Sequence, residues 1–271
     1  MLKGIQARQS TADEPGLLEV AADARRAGFD AVEPVLTGGG CLSLATDDMA
    51  VRRMGDAWRG AGLAVASLAC PLPNDRLLTT GDEQGRLEAQ RIIAAALDRA
   101  AWLGAYTMVV DAGRGRPEQE SPGRQVRYVD AINALNGTLR TLAFEAEARA
   151  VILAIENPAD EFLLSPVEMR DLIDEVGSPW VQMCLNVGRV RRHGCPADWI
   201  DTLGPRIVEV HATDWHATRQ RCCALGEGDV DWPAVMAAWK RQDYQGPIVC
   251  EGGENPADAA RRLNAILART S

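Results

Sequence analysis

Lysine is almost missing from this chain: Lys3 and Lys240 are the only two, so 27 of the 29 basic residues are arginine. Lys3 opens a predicted strand and Lys240 falls in an amphipathic helical pattern. Neither is placed as a Schiff-base or general-base lysine, which sets lysine-dependent aldolase and enolase-type chemistry aside. Also missing is any apolar run near the roughly 18 residues of a membrane helix, and no apolar h-region follows Met1. The expectation is a cytoplasmic protein without membrane contact. The seven cysteines contain no Cys-x-x-Cys pair, and their odd number suits a reducing compartment, with most serving as small core hydrophobes. Neither a Gly-x-Ser-x-Gly elbow nor a Walker A lysine motif occurs. Gly38-Gly-Gly40 and Gly113-Arg-Gly115 fit no nucleotide fingerprint and read as flexible turns. Positive charge is in deficit as well. The 38 acidic residues outnumber the 29 basic ones for a net charge of -9, against binding to nucleic acid or anionic membrane. The partner is then a small molecule or another protein.

What is present is apolar material for one sizeable core, 46% of 271 residues, in a length close to the roughly 250 residues of a (β/α)8 barrel. Short apolar runs alternate with helical periodicity throughout, the pattern of a parallel sheet with crossover helices. Strands are predicted over Leu2–Ala7, Phe29–Pro34, Ala64–Ala69, Tyr106–Val110, Val151–Glu156, Val181–Asn186, Ile207–His211 and Pro247–Glu251. Helices are predicted over Gly16–Ala27, Asp47–Ala61, Glu83–Leu103, Val126–Arg149, Pro166–Val176, Pro196–Leu203, Trp232–Gln242 and Pro256–Ala268. Ser165-Pro166 and Asp231-Trp-Pro233 supply start signals, and Gly28, Gly62, Gly104 and Gly177 supply stops. No linker or shift in composition divides the series. The expectation is an α/β fold, a single (β/α)8 TIM barrel domain over residues 1–271, with a doubly wound open sheet as the alternative.

In such barrels the active site gathers at the C-terminal ends of the strands. The predicted strands end there in Glu33, Asp111, Glu156-Asn157, Asn186, His211 and Glu251, a convergence of polar groups that points to a functional site. Glu156, Asn186, His211 and Glu251 offer three oxygen donors and one imidazole, a set for a divalent ion such as Mn2+, Mg2+, Co2+ or Zn2+; a metal-free polar network is the other reading. Period-two alternation points Gln182 and Glu209 inward beneath them, Glu209 within range to orient His211. After strand six come Arg189, Arg191, Arg192 and His193, and after strand seven His216, Arg219 and Arg221. Five arginines on two neighbouring loops suggest an anion site, with a solvated or dimer-facing cluster as the alternative. Trp215 and Trp232 wall the pocket or pack barrel against helix.

Several segments resemble the xylose isomerase-like TIM barrels, which include sugar epimerases, hydroxypyruvate isomerases and inosose dehydratases. The resemblance spans nearly the whole chain and rests on Gly28-Phe-Asp-Ala-Val-Glu33, Ala154-Ile-Glu156-Asn157, His211-Ala-Thr-Asp214, Leu225-Gly-Glu-Gly-Asp-Val-Asp-Trp232 and Gly246-Pro-Ile-Val-Cys-Glu251. It implies a divalent metal on Glu156, residue 186, His211 and Glu251, with the two glutamates exchanging protons on opposite faces of a sugar-like substrate. Cys184-Leu-Asn186-Val-Gly-Arg189 departs from the family's Cys-Leu-Asp-Val-Gly-His. Cys222 stands where many relatives keep a histidine. Asn186 removes a negative charge and Arg189 adds a positive one, both weakening metal binding.

The expected function is a sugar, cyclitol or keto-acid isomerase or epimerase working by proton transfer next to a carbonyl through an enediolate. Glu156 and Glu251 are the proton-transfer residues, and the metal, or Arg189 without one, stabilises the enediolate oxygen. Candidate substrate-binding residues are Glu33, Asn157, Arg189, Asp214, Trp215 and Arg219, for a small molecule of anionic or neutral character, and a homodimer is a common state of such barrels. The alternatives are a dehydratase or lyase of the same superfamily and a non-catalytic relative with a degraded metal site.

Overall fold

Helices and parallel strands alternate along the chain in a computed structural model that describes residues 1–7, 14–73, 78–79, 82–113, 126–158, 162–251 and 255–268. The first half runs β1 (Lys3–Ala7), α1 (Glu14–Ala27), β2 (Ala31–Pro34), α2 (Asp48–Gly60), β3 (Ala64–Val65), β4 (Leu68–Ala69), α3 (Glu83–Leu103), β5 (Thr107–Asp111) and α4 (Tyr128–Arg149). The second half runs β6 (Ile152–Glu156), α5 (Pro166–Val176), β7 (Val181–Asn186), α6 (Val187–His193), α7 (Pro196–Leu203), β8 (Ile207–Ala212), β9 (Asp214–His216), β10 (Arg221–Cys223), α8 (Trp232–Arg241), β11 (Ile248–Cys250) and α9 (Pro256–Leu267).

The sheet order is β3-β2-β1-β11-β8-β7-β6-β5-β4, all parallel. The segment predicted as one strand, Ala64–Ala69, is split: β3 pairs with β2, β4 pairs with β5, and only Ala66 and Ser67 lie between. That segment brings the two ends of the sheet together, with a Val35–Ala69 bridge beside it, so the fold is a nearly closed (β/α)8 barrel. Side-chain caps set the helix starts: Ser165 accepts from Val167 N ahead of Pro166, and Asp231 accepts from Ala234 N ahead of Pro233. Gly104 and Gly177 end α3 and α5 at φ 80° and 69°, a left-handed conformation costly for other residues. No described helix is long and apolar enough to cross a membrane.

The main apolar core lies between sheet and helices, where Phe29, Trp58, Ile93, Leu97, Leu135, Ile155 and Leu185 are buried. Inside the barrel the filling is small: Ala31, Ala66 and Val249 form one cluster, Val109, Ala154 and Cys184 another. Small residues at that level leave room for the polar groups at the strand ends. A bulge in β8 adds to this. Met183 pairs with Ile207 and Cys184 with Glu209, so two β8 residues oppose one step of β7 below His211.

Two segments expected to be loops are ordered. Residues 187–193 form α6, whose first turn follows β7 directly, with Asn186 as both last strand residue and N-cap. Seven residues rich in arginine carry too little apolar periodicity to predict this. The loop after β8 folds into the β9–β10 hairpin.

Candidate active site

Glu156 and Asn186 close β6 and β7, His211 lies in β8 and Glu251 follows β11, and the barrel brings all four together. Strand register sets Asp111 beside Glu156 and Asn186 beside His211. Asn186 Nδ2 donates to Glu156 Oε1 and to Glu251 Oε2, each at 2.8 Å. His211 Nδ1 lies 2.8 Å from Glu156 Oε1, and its Nε2 lies 3.2 Å from Glu33 Oε2. Arg189 Nη1 pairs with Glu156 Oε2 at 2.8 Å and Asp111 Oδ2 at 3.0 Å, and donates to the Asn157 carbonyl at 3.3 Å.

The protons can be placed by counting. Burial would raise the Glu156 carboxyl, but Arg189, His211 and the Asn186 amide outweigh it and hold its pKa down to about 2. Glu33 is likewise kept below its ordinary value, its burial outweighed by His211, Ser67 and Gln6. His211 therefore faces a carboxylate at each ring nitrogen and carries a proton on both. Burial opposes that charge, yet the Cys184 sulfur, Glu33 and Glu156 raise its pKa well above 6.5. Below it, Ser67 Oγ lies 2.6 Å from both Glu33 Oε2 and Glu209 Oε1. One hydroxyl has one proton, so the second bond requires a carboxylic acid. Glu209, pushed well above its ordinary value by burial and by Glu33, supplies it.

Among the described residues, two groups of buried side chains come close enough to hold a metal ion: Glu156, Cys184 and His211, and Glu33, Glu209 and His211, with donor atoms within 4.8 Å of one another in each. The set implied by the sequence resemblance is a different one, and its fit turns on Asn186. The Asn186 oxygen accepts from Arg189 N at 3.1 Å and from the Thr213 hydroxyl at 2.5 Å. Thr213 Oγ1 in turn accepts from Gly188 N at 2.8 Å, so its own proton is directed at Asn186. A backbone donor and a directed hydroxyl thus fix the amide, and reversing it would set donors against donors. What Asn186 presents to the two glutamates is its NH2. The expected oxygen ligand is absent, Arg189 already occupies Glu156, and both nitrogens of His211 face carboxylates. Glu156, Asn186, His211 and Glu251 do not fit a divalent ion in this arrangement.

The other residues singled out in the sequence separate into distinct roles. Glu33 is fully buried beneath the site and braces His211. Asn157 bonds the backbone of Asn186 through both side-chain atoms, at 2.7 and 3.3 Å. Asp214 is engaged by the β9–β10 hairpin and the segment leading into α8. Its carboxylate accepts from Trp215 N, Val230 N, Gly226 N and Trp232 Nε1 at 2.8 to 3.2 Å. A Cβ on Gly228 would stand 2.6 Å from the Trp215 carbonyl and collide with the Asp214 carboxylate, which explains the glycine. Asp214→Ala should cost about 3 kcal/mol in urea unfolding, since it strands several buried donors. A loss confined to substrate KM, with unchanged stability, would restore the substrate-binding role.

Of the five arginines, Arg189 pairs with Glu156 at the centre. Arg191 donates to the Asp229 carbonyl at 2.7 Å, Arg192 lies 5.4 Å from the Trp215 ring centroid, and Arg219 and Arg221 are exposed. Cys222, in β10, is within electrostatic reach of Glu251, Arg189 and Arg192. Gln182 reaches back to the Pro179 carbonyl at 3.4 Å. Gly115 lies outside the described residues.

Sequence reasoning missed Thr213, Ser67 and the pairing role of Asp111. The third was open to discovery, because Asp111 ends a strand as Glu156 does. Burial raises the Asp111 carboxyl to about 6, Arg189 opposing and Glu156 adding to the rise. A folded-state pKa raised above the ordinary 3.8 makes a stability contribution that is full below that value and lost as pH rises through about 6. Carbon-13 NMR of the Asp111 carboxyl should show a midpoint near 6, and Asp111→Asn should flatten the stability profile between those two values. A midpoint near 3.8 would contradict the burial.

A family model described as the xylose isomerase-like TIM barrel matches residues 21–269. A 2-epi-5-epi-valiolone 7-phosphate 2-epimerase from Actinoplanes sp. is 30% identical over 144 residues, 52% of this chain and 46% of that protein. An uncharacterised protein from Methanocaldococcus jannaschii is 25% identical over 187 residues, 66% of this chain and 61% of the relative. The matches thus span about half to three-fifths of the curated relatives' lengths. Among solved structures, a 3-keto-D-glucoside 4-epimerase from E. coli superposes with TM-score 0.79 at 21% identity, covering all of both chains. An L-ribulose 3-epimerase gives 0.79 at 20% identity, covering 99% of this chain and 96% of that one. A D-psicose 3-epimerase gives 0.78 at 17% identity, covering 100% and 98%.

Proposed function

The chain belongs to the xylose isomerase-like TIM barrel family, and on that premise we propose that it is a sugar isomerase or epimerase that moves a proton next to a carbonyl. The observation that carries this reading is the pair Glu156 and Glu251, both bonded at 2.8 Å by the one Asn186 amide at the end of β7. The names of the similar proteins, epimerases of free and phosphorylated sugar-like molecules, support it.

In the forward step one carboxylate takes the proton from the carbon beside the carbonyl. The C–H electron pair becomes the C=C bond of an enediolate, and the carbonyl electron pair moves onto its oxygen. The other carboxyl group, in its acid form, returns a proton to the opposite face of the same carbon for epimerisation, the oxygen's electron pair re-forming the carbonyl, or to the former carbonyl carbon for isomerisation, the proton of the neighbouring hydroxyl passing to the enediolate oxygen as that hydroxyl's carbon becomes the new carbonyl. Glu156, held ionised by its neighbours, is the base of the resting site. A carboxylate with a pKa of about 2 is a weak base while Arg189 covers it. As negative charge builds on the substrate oxygen, the guanidinium shifts its attraction there, and Glu156 gains basicity when the proton moves.

Arg189 is engaged by Glu156 and Asp111, Arg191 by the Asp229 carbonyl, and Arg219 and Arg221 are exposed, which favours a neutral ketose or keto-cyclitol over an anionic substrate. Incubation with a panel of ketohexoses, 3-keto-glycosides and cyclitol ketones, with and without a phosphate group, should give an epimer or aldose/ketose isomer from at least one neutral member. Absence of any isomeric product, or loss of water from a substrate, would replace this reading with a binding or lyase function.

A further inference from the structure

We propose that the electropositive centre of this site is the Arg189 guanidinium in place of a divalent ion, and that its outward N–H groups polarise the substrate carbonyl. The proposal deepens the isomerase reading and rests on it for the substrate. The segment Asn186-Val-Gly-Arg189 does both jobs at once. The Arg189 backbone N–H locks the Asn186 oxygen, which turns the NH2 onto the glutamate oxygens that a cation would need. The Arg189 side chain then places a positive charge 2.8 Å from Glu156. A divalent ion brought to these carboxylates would meet an amide NH2 and a guanidinium, and like charges at such spacing repel strongly in a partly desolvated site.

The guanidinium is held for this task. All its contacts among the described residues pass through Nη1, to Asp111, Glu156 and the Asn157 carbonyl. Nε and Nη2 make no hydrogen bond among those residues, although Arg189 carries five N–H donors in a rigid fork. Thr213 and Gly188 complete the lock: a Cβ at residue 188 would stand 2.6 Å from Thr213 Oγ1, so only glycine lets that hydroxyl reach Asn186.

Mn2+ titration calorimetry and deuterium exchange test the proposal together. Protein freed of metal with EDTA and verified by metal analysis should exchange the α-hydrogen of an active ketose with D2O at an undiminished rate, and should show no saturable Mn2+ binding. Asn186→Asp should gain Mn2+ affinity, and Asn186→Asp/Arg189→His should gain more, roughly tenfold or beyond. Stoichiometric Mn2+ binding by the native chain, or exchange that EDTA abolishes and Mn2+ restores, overturns the proposal. Circular dichroism reports whether each variant folds; if the double variant does not, the native protein and Asn186→Asp still decide. If no ketose exchanges under any condition, the isomerase reading fails, while calorimetry still shows whether the arginine or an ion holds the position.

Discussion

Glu156→Gln is expected to lower turnover by at least about 100-fold, the usual scale for losing a general base. The substitution keeps the shape and removes the charge. It also turns an acceptor into a donor in a place where Asn186 Nδ2, His211 Nδ1 and Arg189 Nη1 all donate, so one of the three bonds must break. Stability should fall as well, because the buried His211 loses one of its two counter-charges. Glu251→Gln should match it in turnover and cost less stability. Glu251 bonds the same amide but stands 3.8 Å from His211 Nδ1, against 2.8 Å for Glu156. Steady-state kinetics and urea melts of both variants decide. Native turnover in both would end the proton-transfer assignment.

Removing the guanidinium while keeping the chain length, in Arg189→Met, should lower kcat by roughly 100- to 1,000-fold, the scale measured for a lost oxyanion donor. Two effects act together. The developing enediolate oxygen loses its counter-charge, and Glu156 and Asp111 are left as neighbouring carboxylates without the cation between them. Arg189→Lys should recover part of the rate, since it returns the charge without the planar fork. A variant whose kcat is unchanged and whose KM alone rises would show that the arginine only binds substrate.

Much of the fold could be read from the chain because its elements announce themselves locally. The α3, α5, α7 and β7 boundaries agree with the predicted ranges, where N-caps, N1 prolines and C-terminal glycines bracket regular periodicity. The helix α6 was hidden because a strand runs straight into it. Its N-cap, Asn186, reads in the sequence as a strand-end metal ligand. The convergence of Glu156, Asn186, His211 and Glu251 follows from barrel geometry, since each stands at or beside the end of one of four neighbouring strands. Which atom of Asn186 faces inward did not, because it depends on Thr213 and on the Arg189 backbone. Asp214 shows the reverse case. A carboxylate in a family-like motif reads as a site residue, while only coordinates reveal three backbone N–H groups and an indole around it.

The central claim is proton transfer by the two glutamates, and conversion of an active ketose in D2O, followed by proton NMR and mass spectrometry, tests it most directly. The expected product carries one solvent deuterium at the epimerised or isomerised carbon, because the proton returned by the acid exchanges with solvent between turnovers. The same washout should be absent in Glu156→Gln. Product formed with full retention of the substrate hydrogen would contradict proton transfer and point to a hydride shift.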